Sequence, residues 1–215
     1  MKILVLGASG KLGSKIISKA CKEGYEVKAF VRKPSNLQVL ANLPITIFEG
    51  DVLESSTLDK AMNNNIHVVI SAIGPDDNFD NVIEKGMLNI VNAMQKHRIR
   101  KLIAVGGSGI LRDEEYGLQL YSPRFPAFLK PIAVQHLKAW EIVADSGINY
   151  TYLCPPRMVD GSLADDYDTK EDFPITIMTE NVSYESCANY IVGVLQNSLL
   201  ENKRISINHK IRNEK

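Results

Sequence analysis

Cysteine is scarce in this chain, and neither sign of charge is in excess. Three cysteines stand among 215 residues, at positions 21, 154 and 187, with no C-x-x-C spacing. So odd and scattered a set gives no disulfide framework and predicts reduced thiols in a cytoplasmic protein. The 25 basic and 25 acidic side chains cancel, so nucleic acid is not expected as a standing partner. His67, His97, His136 and His209 are too far apart for metal-ligand spacing, and no metal is expected. No apolar run approaches the roughly 18 residues of a membrane span, and Ile3–Leu6 lacks a signal peptide's length and cleavage site. No membrane partner is expected either. Internal repeats, low-complexity tracts and linkers are also missing. With 45% hydrophobic residues, the chain is predicted to form one domain over residues 1–215.

What is present is concentrated at the start. Lys2-Ile3-Leu4-Val5-Leu6 reads as a buried strand, Gly7-Ala8-Ser9-Gly10-Lys11-Leu12-Gly13 as a glycine-rich turn, and Ile16, Ile17 and Ala20 take up helical spacing. Strand, tight turn and helix in this order open a dinucleotide-binding βαβ unit. Gly7 permits the sharp exit from the strand, Gly10 a close backbone approach to a pyrophosphate, and Gly13 tight helix packing. The helix N-terminus then turns free N–H groups and a positive dipole end towards the phosphates. The spacing is G-x-x-G-x-x-G, so the generic G-x-G-x-x-G fingerprint fits only in part.

The rest of the chain alternates strands and helices, which implies right-handed crossovers and a doubly wound, Rossmann-like parallel α/β sheet. Tyr25–Val31 is the second strand, and Arg32-Lys33 follow it where an acid would select NAD. Two bases there instead suit the 2′-phosphate of NADP, Arg32 with a planar fork and Lys33 as a point charge. After the third strand (Ile45–Glu49), Asp51 is placed to accept from the adenine amino group, to cap the next helix near Ser55, or both, with Val52 packing on the ring. A fourth strand (Ile66–Ile70) runs into Ser71, Ala72, Ile73 and Gly74, small enough to lie beside a ribose. A helix is predicted over Asn78–His97. A fifth strand (Arg100–Val105) ends in Gly106, Gly107 and Ser108.

Pro123, Pro126 and Pro131 break regular structure, and residues 111–131 read as a substrate-side flap or interaction surface. A helix (Ala133–Asp145) and a sixth strand (Asn149–Cys154) lead to Pro155-Pro156-Arg157. His136, near the start of that helix, reads as a proton donor or as an ordinary helix-surface histidine. Gly161–Phe173 is acidic and reads as a solvated loop first and a lid second. A short strand (Ile175–Met178), a helix (Ser183–Gln196) and a last strand (Arg204–Ile207) complete the chain. Cys154 reads as a buried, inert thiol rather than a redox one, and Trp140, the only tryptophan, as packing or a subunit contact.

Together these stretches resemble the atypical short-chain dehydrogenase/reductase group, in particular its NAD(P)H-binding, NmrA-like members and the NADPH-dependent flavin and biliverdin-IXβ reductases among them. The likeness rests on Gly7–Gly13, Gly24–Val27, Val31-Arg32, Gly50–Leu53, Gly86–Met94, His136–Gly147 and Cys154–Pro156. It implies NADP(H) in preference to NAD(H). It also implies substrate-side elements at about 111–131 and 157–183. Ordinary members of the superfamily use a Tyr-x-x-x-Lys pair. None of the eight tyrosines here has a lysine four residues on. Counted back from Ser146-Gly147, the pair falls on Ile132 and His136, so alcohol oxidation by that machinery is not expected.

The resemblance implies hydride transfer to a flat acceptor such as FMN, riboflavin, a quinone or biliverdin, which is mainly a matter of positioning. Ser108 and Arg157 are the candidate catalytic residues, Arg157 through an anionic group of the acceptor. Gly106, Gly107 and Pro155 would flank the nicotinamide. A non-catalytic NADP(H)-sensing regulator of NmrA-like type is the alternative, and a nucleotide-sugar epimerase or dehydratase a weaker third. The expected oligomeric state is a monomer or weak homodimer.

Overall fold

The computed structural model describes residues 1–34, 40, 42–63, 65–75, 81–162, 167–175, 181–197 and 200–209. The chain runs β1 (Lys2–Leu6), α1 (Lys11–Lys22), β2 (Glu26–Val31), β3 (Ile45–Glu49), α2 (Ser55–Met62), β4 (Val68–Ser71), α3 (Val82–Lys96) and β5 (Lys101–Val105). A small β6–β7 hairpin (Arg112–Asp113 and Gly117–Leu118) follows, then α4 (Lys130–Ala144), β8 (Asn149–Cys154), β9 (Arg157–Val159), β10 (Tyr167–Glu171), β11 (Asn181–Ser183), α5 (Tyr184–Gly193) and β12 (Lys203–His209).

Eight strands form one sheet in the order β10-β12-β8-β5-β4-β1-β2-β3, parallel throughout except for β10 against β12. Strand residues alternate between two apolar clusters. Leu4, Leu6, Val69, Leu102 and Ala104 face one side, and Ile3, Val5, Val68, Ile70, Ile103 and Val105 face the other. Strands buried on both faces have to read as continuous apolar runs, as β1, β4 and β5 do. Helices α2, α3 and α4 cover the first face and α1 with α5 the second. The sheet is the Rossmann-like, doubly wound one expected. Its order reverses at β1, between β2 and β4, so the ligand crevice of such a sheet lies above the carboxyl end of β1.

The structure differs from the sequence-based expectation in several places. Tyr167–Glu171 belongs to no loop but pairs as the antiparallel edge strand β10. Its charged, exposed side chains suit an edge, where they oppose pairing with another chain. Pro131 does not break a helix: it sits in the first turn of α4, where its missing N–H has no intrahelical partner to lose. Asp51 does not cap α2. Its Oδ1 accepts from Leu53 N at 2.9 Å, and the N-cap is Glu54, without a side-chain cap bond. The short parallel pair β9–β11 is an addition to the expected elements. It carries polar Arg157, Asn181 and Ser183 and so lacks the apolar run that marks a buried strand. Most of the strand expected over 175–178 lies outside the described residues, as does the start of the helix expected from Asn78.

Candidate functional site

The main chain builds the first cleft. Gly7 has φ +76°, and a Cβ there would lie 2.5 Å from the Ala72 carbonyl oxygen. A Cβ on Gly13 would overlap the Gly7 carbonyl, so helix α1 can sit against the loop only because this residue is glycine. Gly10 is the N-cap of α1. Its N–H donates to Gly7 O at 3.0 Å and its carbonyl accepts from Ser14 N at 3.0 Å. The first-turn amides of Lys11, Leu12 and Gly13 have no intrahelical acceptor and point out of the helix end. The first turn also carries no acidic side chain. A cradle that side chains would fill, faced by free N–H groups, fits a pyrophosphate.

Around it lies a cleft of about 430 Å³. The glycine loop, Arg32 after β2, Asp51 and Val52 after β3, and Ala72 to Pro75 after β4 all line it. Arg32 is exposed and has no ion pair among the described residues. Met158 and Tyr184 close the cleft from the C-terminal part of the chain. Sequence reasoning misses both, because they reach the cleft through the β9–β11 pair. Lys11 reaches Asp160 at 2.7 Å, bridging the glycine loop to the segment after β9. That hydrogen bond and charge raise the Lys11 pKa above its ordinary value. Both partners are exposed, so the pair adds little to stability.

Not every expected residue lies on this cleft. Lys33 is exposed beside it but does not line it. Ser71 is buried within β4, so the floor is Ala72 and its successors. Gly13 stands behind the loop, and Gly106 lies against the Tyr152 ring, where a Cβ would come within 2.8 Å of Cε1. Gly107, Pro155, Ser108 and Arg157 instead line a second cleft, also of about 430 Å³.

The second cleft is built from side chains. Phe125, Phe128 and Leu129 come from the 111–131 segment, and Ile132, Ala133 and His136 from α4. Ser108 is pinned by its N–H to Pro155 O at 3.1 Å. Arg157 stands exposed at the head of β9. His136 is buried, its Nδ1 has no hydrogen-bond partner, and burial pulls its pKa down to about 4. Its ring is therefore neutral in ordinary buffers. Arg204 holds the turn on the far side: Nη1 donates to Ile110 O at 2.6 Å and Nε to Asp172 Oδ1 at 3.0 Å. The guanidinium stacks 4.3 Å over Trp140, whose Nε1 donates to Tyr150 Oη at 3.3 Å, so Trp140 is packing. Cys154 is fully buried and its thiol pKa pushed up by that burial, which leaves no thiolate for redox chemistry.

A parallel sheet with a glycine cradle at its switch point is the arrangement of a dinucleotide-binding protein. The chain belongs to the NAD(P)H-binding family, whose model matches residues 7–198. It is 30% identical over 202 residues to the uncharacterized protein YwnB of Bacillus subtilis, covering 91% of each chain. A dihydroflavonol 4-reductase of Arabidopsis thaliana is 25% identical in an alignment 187 positions long that covers 73% of this chain and 49% of that one. Among solved structures, a Streptococcus pneumoniae protein provisionally named an NADH-flavin reductase superposes with a TM-score of 0.82 at 24% identity, covering 98% of this chain and all of that one. ChuY, an anaerobillin reductase of Escherichia coli O157:H7, gives 0.79 at 20% identity over 97% of each chain. At such identities these two structures establish the fold alone. No helix among the described residues is long and apolar enough to cross a membrane.

Proposed function

We propose that this protein is an NADPH-dependent reductase that passes hydride to a flat conjugated acceptor: a flavin, a quinone or a biliverdin-like tetrapyrrole. One observation carries this reading. The two clefts meet along the chain at β9, where Met158 lines the first and its neighbour Arg157 lines the second.

In the first cleft, the free amides of Lys11, Leu12 and Gly13 hold the pyrophosphate and Arg32 holds the 2′-phosphate. Lys33, off the cleft, adds only long-range charge. Asp51 keeps Oδ2 for the adenine amino group while Oδ1 is occupied by Leu53 N. Val52 packs on the adenine, and Ala72, Ile73 and Gly74 lie along the ribose. Gly107 and Pro155 flank the nicotinamide, and Ser108 and Arg157 face the acceptor. A reduced nicotinamide held there supplies a hydride, two electrons with one proton, and the acceptor takes its further proton from water. The chain's own task is alignment of the two reactants. Ile132 and the neutral His136 stand where a proton-relaying Tyr and Lys would be, which agrees with an acceptor that needs no alcohol chemistry.

The alternative is a non-catalytic NADP(H) sensor. In its favour, Phe128 is 81% exposed and Tyr121 56% exposed, both on the 111–131 segment and open to a protein. NADPH oxidation by the purified protein, with and without FMN, riboflavin and menadione, decides between them. Acceptor-dependent turnover preferring NADPH over NADH is expected. Tight NADPH binding with no turnover on any acceptor would move the search to a protein partner.

A further inference from the structure

Helix α3 lines the first cleft with Val82 and stands behind it with Gly86 and Asn89, which follow at helical spacing on the same face. A Cβ on Gly86 would stand 3.0 Å from Val52 Cγ2, so helix and loop are in hard contact there. One turn further on, Asn89 donates from Nδ2 to Val52 O at 3.0 Å. Val52 is thus fixed twice by α3, its side chain against Gly86 and its main chain by Asn89. Asparagine is a weak helix former. Residue 89 stands in the middle of α3, so the helix itself does not explain its presence.

Helix α2 holds the preceding residue. Thr57 Oγ1 accepts from Asp51 N at 3.2 Å and donates to Asp51 O at 2.8 Å. Asp51 Oδ1 in turn accepts from Leu53 N at 2.9 Å, and Gly50 N donates to Val31 O at 2.9 Å. Each residue from Gly50 to Leu53 therefore has a main-chain group already bonded, through α2, α3, the end of β2 or the loop's own carboxylate. Surface loops ordinarily move. This one is built before a ligand arrives.

We propose that Asn89 is a positioning residue for the base of the dinucleotide. By holding Val52 it aims the Asp51 carboxylate at the amino group of adenine, and Thr57 supports the same aim from α2. Neither side chain lines the cleft. This rests on the dinucleotide reading of the first cleft; the base subsite belongs to that reading, and what is added is the pair of side chains that keep it selective. A hydrogen-bonding group discriminates between ligands only if it is held in place. A mobile carboxylate would turn away from a carbonyl put in place of the amino group, whereas a fixed one stays to repel it. Losing Asn89 should therefore cost the choice between bases as well as affinity.

Calorimetric titration with NADPH and with its hypoxanthine counterpart, in which a carbonyl replaces the amino group, tests this without any acceptor. Wild type is expected to bind NADPH at least about tenfold tighter, the worth of a hydrogen bond to a charged group. Asn89→Leu should bring that ratio below about threefold, and so should Asn89→Asp, which keeps the shape and loses the donor. Thr57→Val should act likewise, and Thr57→Ser, which keeps the hydroxyl, should restore most of the ratio. The NADPH-to-NADH ratio, set at Arg32, should stay within about twofold of wild type in all four, since that site is separate. Melting temperatures report on folding. Weaker binding with the base ratio intact in Asn89→Leu and Thr57→Val would overturn the positioning role, as would a wild type indifferent to the base. Base discrimination without turnover of any acceptor supports the positioning role and overturns only the reductase. A wild type that binds neither dinucleotide would overturn both.

Discussion

The two clefts are made of different material. The first is main chain: Gly7, Gly10 and Gly13 shape it by having no side chain, and the amides at the start of α1 supply its polarity. The second is side chain, assembled from the turn after β5, the 111–131 segment, α4 and the residues after β8. A backbone cradle tolerates no added atoms but accepts almost any sequence around it. A side-chain cleft can be redrawn one residue at a time. This is why a fold can keep its dinucleotide and change its acceptor.

The sharpest way to break that contrast is to add carbon to each cleft. Gly10→Val, which fills the phosphate cradle, is expected to lower dinucleotide affinity more than 100-fold (roughly 3 kcal/mol) while the melting temperature stays close to wild type. Gly107→Ala, at the nicotinamide end, has room within the protein, its nearest neighbour being 3.8 Å away, and is expected to lower dinucleotide affinity by less than about tenfold (roughly 1.4 kcal/mol). Calorimetric titration of NADPH into both variants makes the comparison, and retained binding by Gly10→Val would remove the loop from the site.

Acid acts on the second cleft through His136. With a folded pKa near 4, His136 binds its proton later than the unfolded chain, in which histidine titrates near 6.5. Stability is therefore fully present above about pH 6.5 and declines as pH falls towards 4, by about 3 kcal/mol in all. Urea melts of wild type and His136→Leu across this range should differ by that sloping amount. Parallel curves would show that the imidazole is not buried as described.

Smaller effects sharpen the first cleft. Arg32→Ala is expected to weaken NADPH by about 10- to 100-fold, as for loss of a charged hydrogen bond, and NADH by less than about twofold. Equal losses would contradict the 2′-phosphate assignment. Lys33→Ala, a change off the cleft, should alter NADPH affinity by less than about threefold, and that only at low salt.

Legibility follows the same division. β1, the glycine loop and β8 can be read residue by residue, because apolar runs and φ-positive glycines follow from local sterics. So can Arg32, Asp51 and Ala72 to Gly74, since strand ends in a parallel sheet share one edge. Tyr167–Glu171 reads as a loop because an edge strand pairs on one side only and its side chains look like those of a loop. Met158 and Tyr184 are invisible because no local pattern announces the β9–β11 pair that brings them to the cleft. Helical spacing alone leaves His136 on a helix surface. Its burial depends on the 111–131 segment folding over α4, a contact that such spacing cannot foretell.

Arg204 gives the molecule a genetics of its own. It lies on the last strand, 94 positions from the Ile110 carbonyl it holds, and lines neither cleft. A missense change there would release the turn that carries Ser108 to Ile110 while leaving the glycine loop intact. If the second cleft takes the acceptor as proposed, its phenotype would map to acceptor use, with cofactor binding preserved. A screen for altered acceptors would thus return β12 alleles alongside those at the cleft, joined to them by one guanidinium.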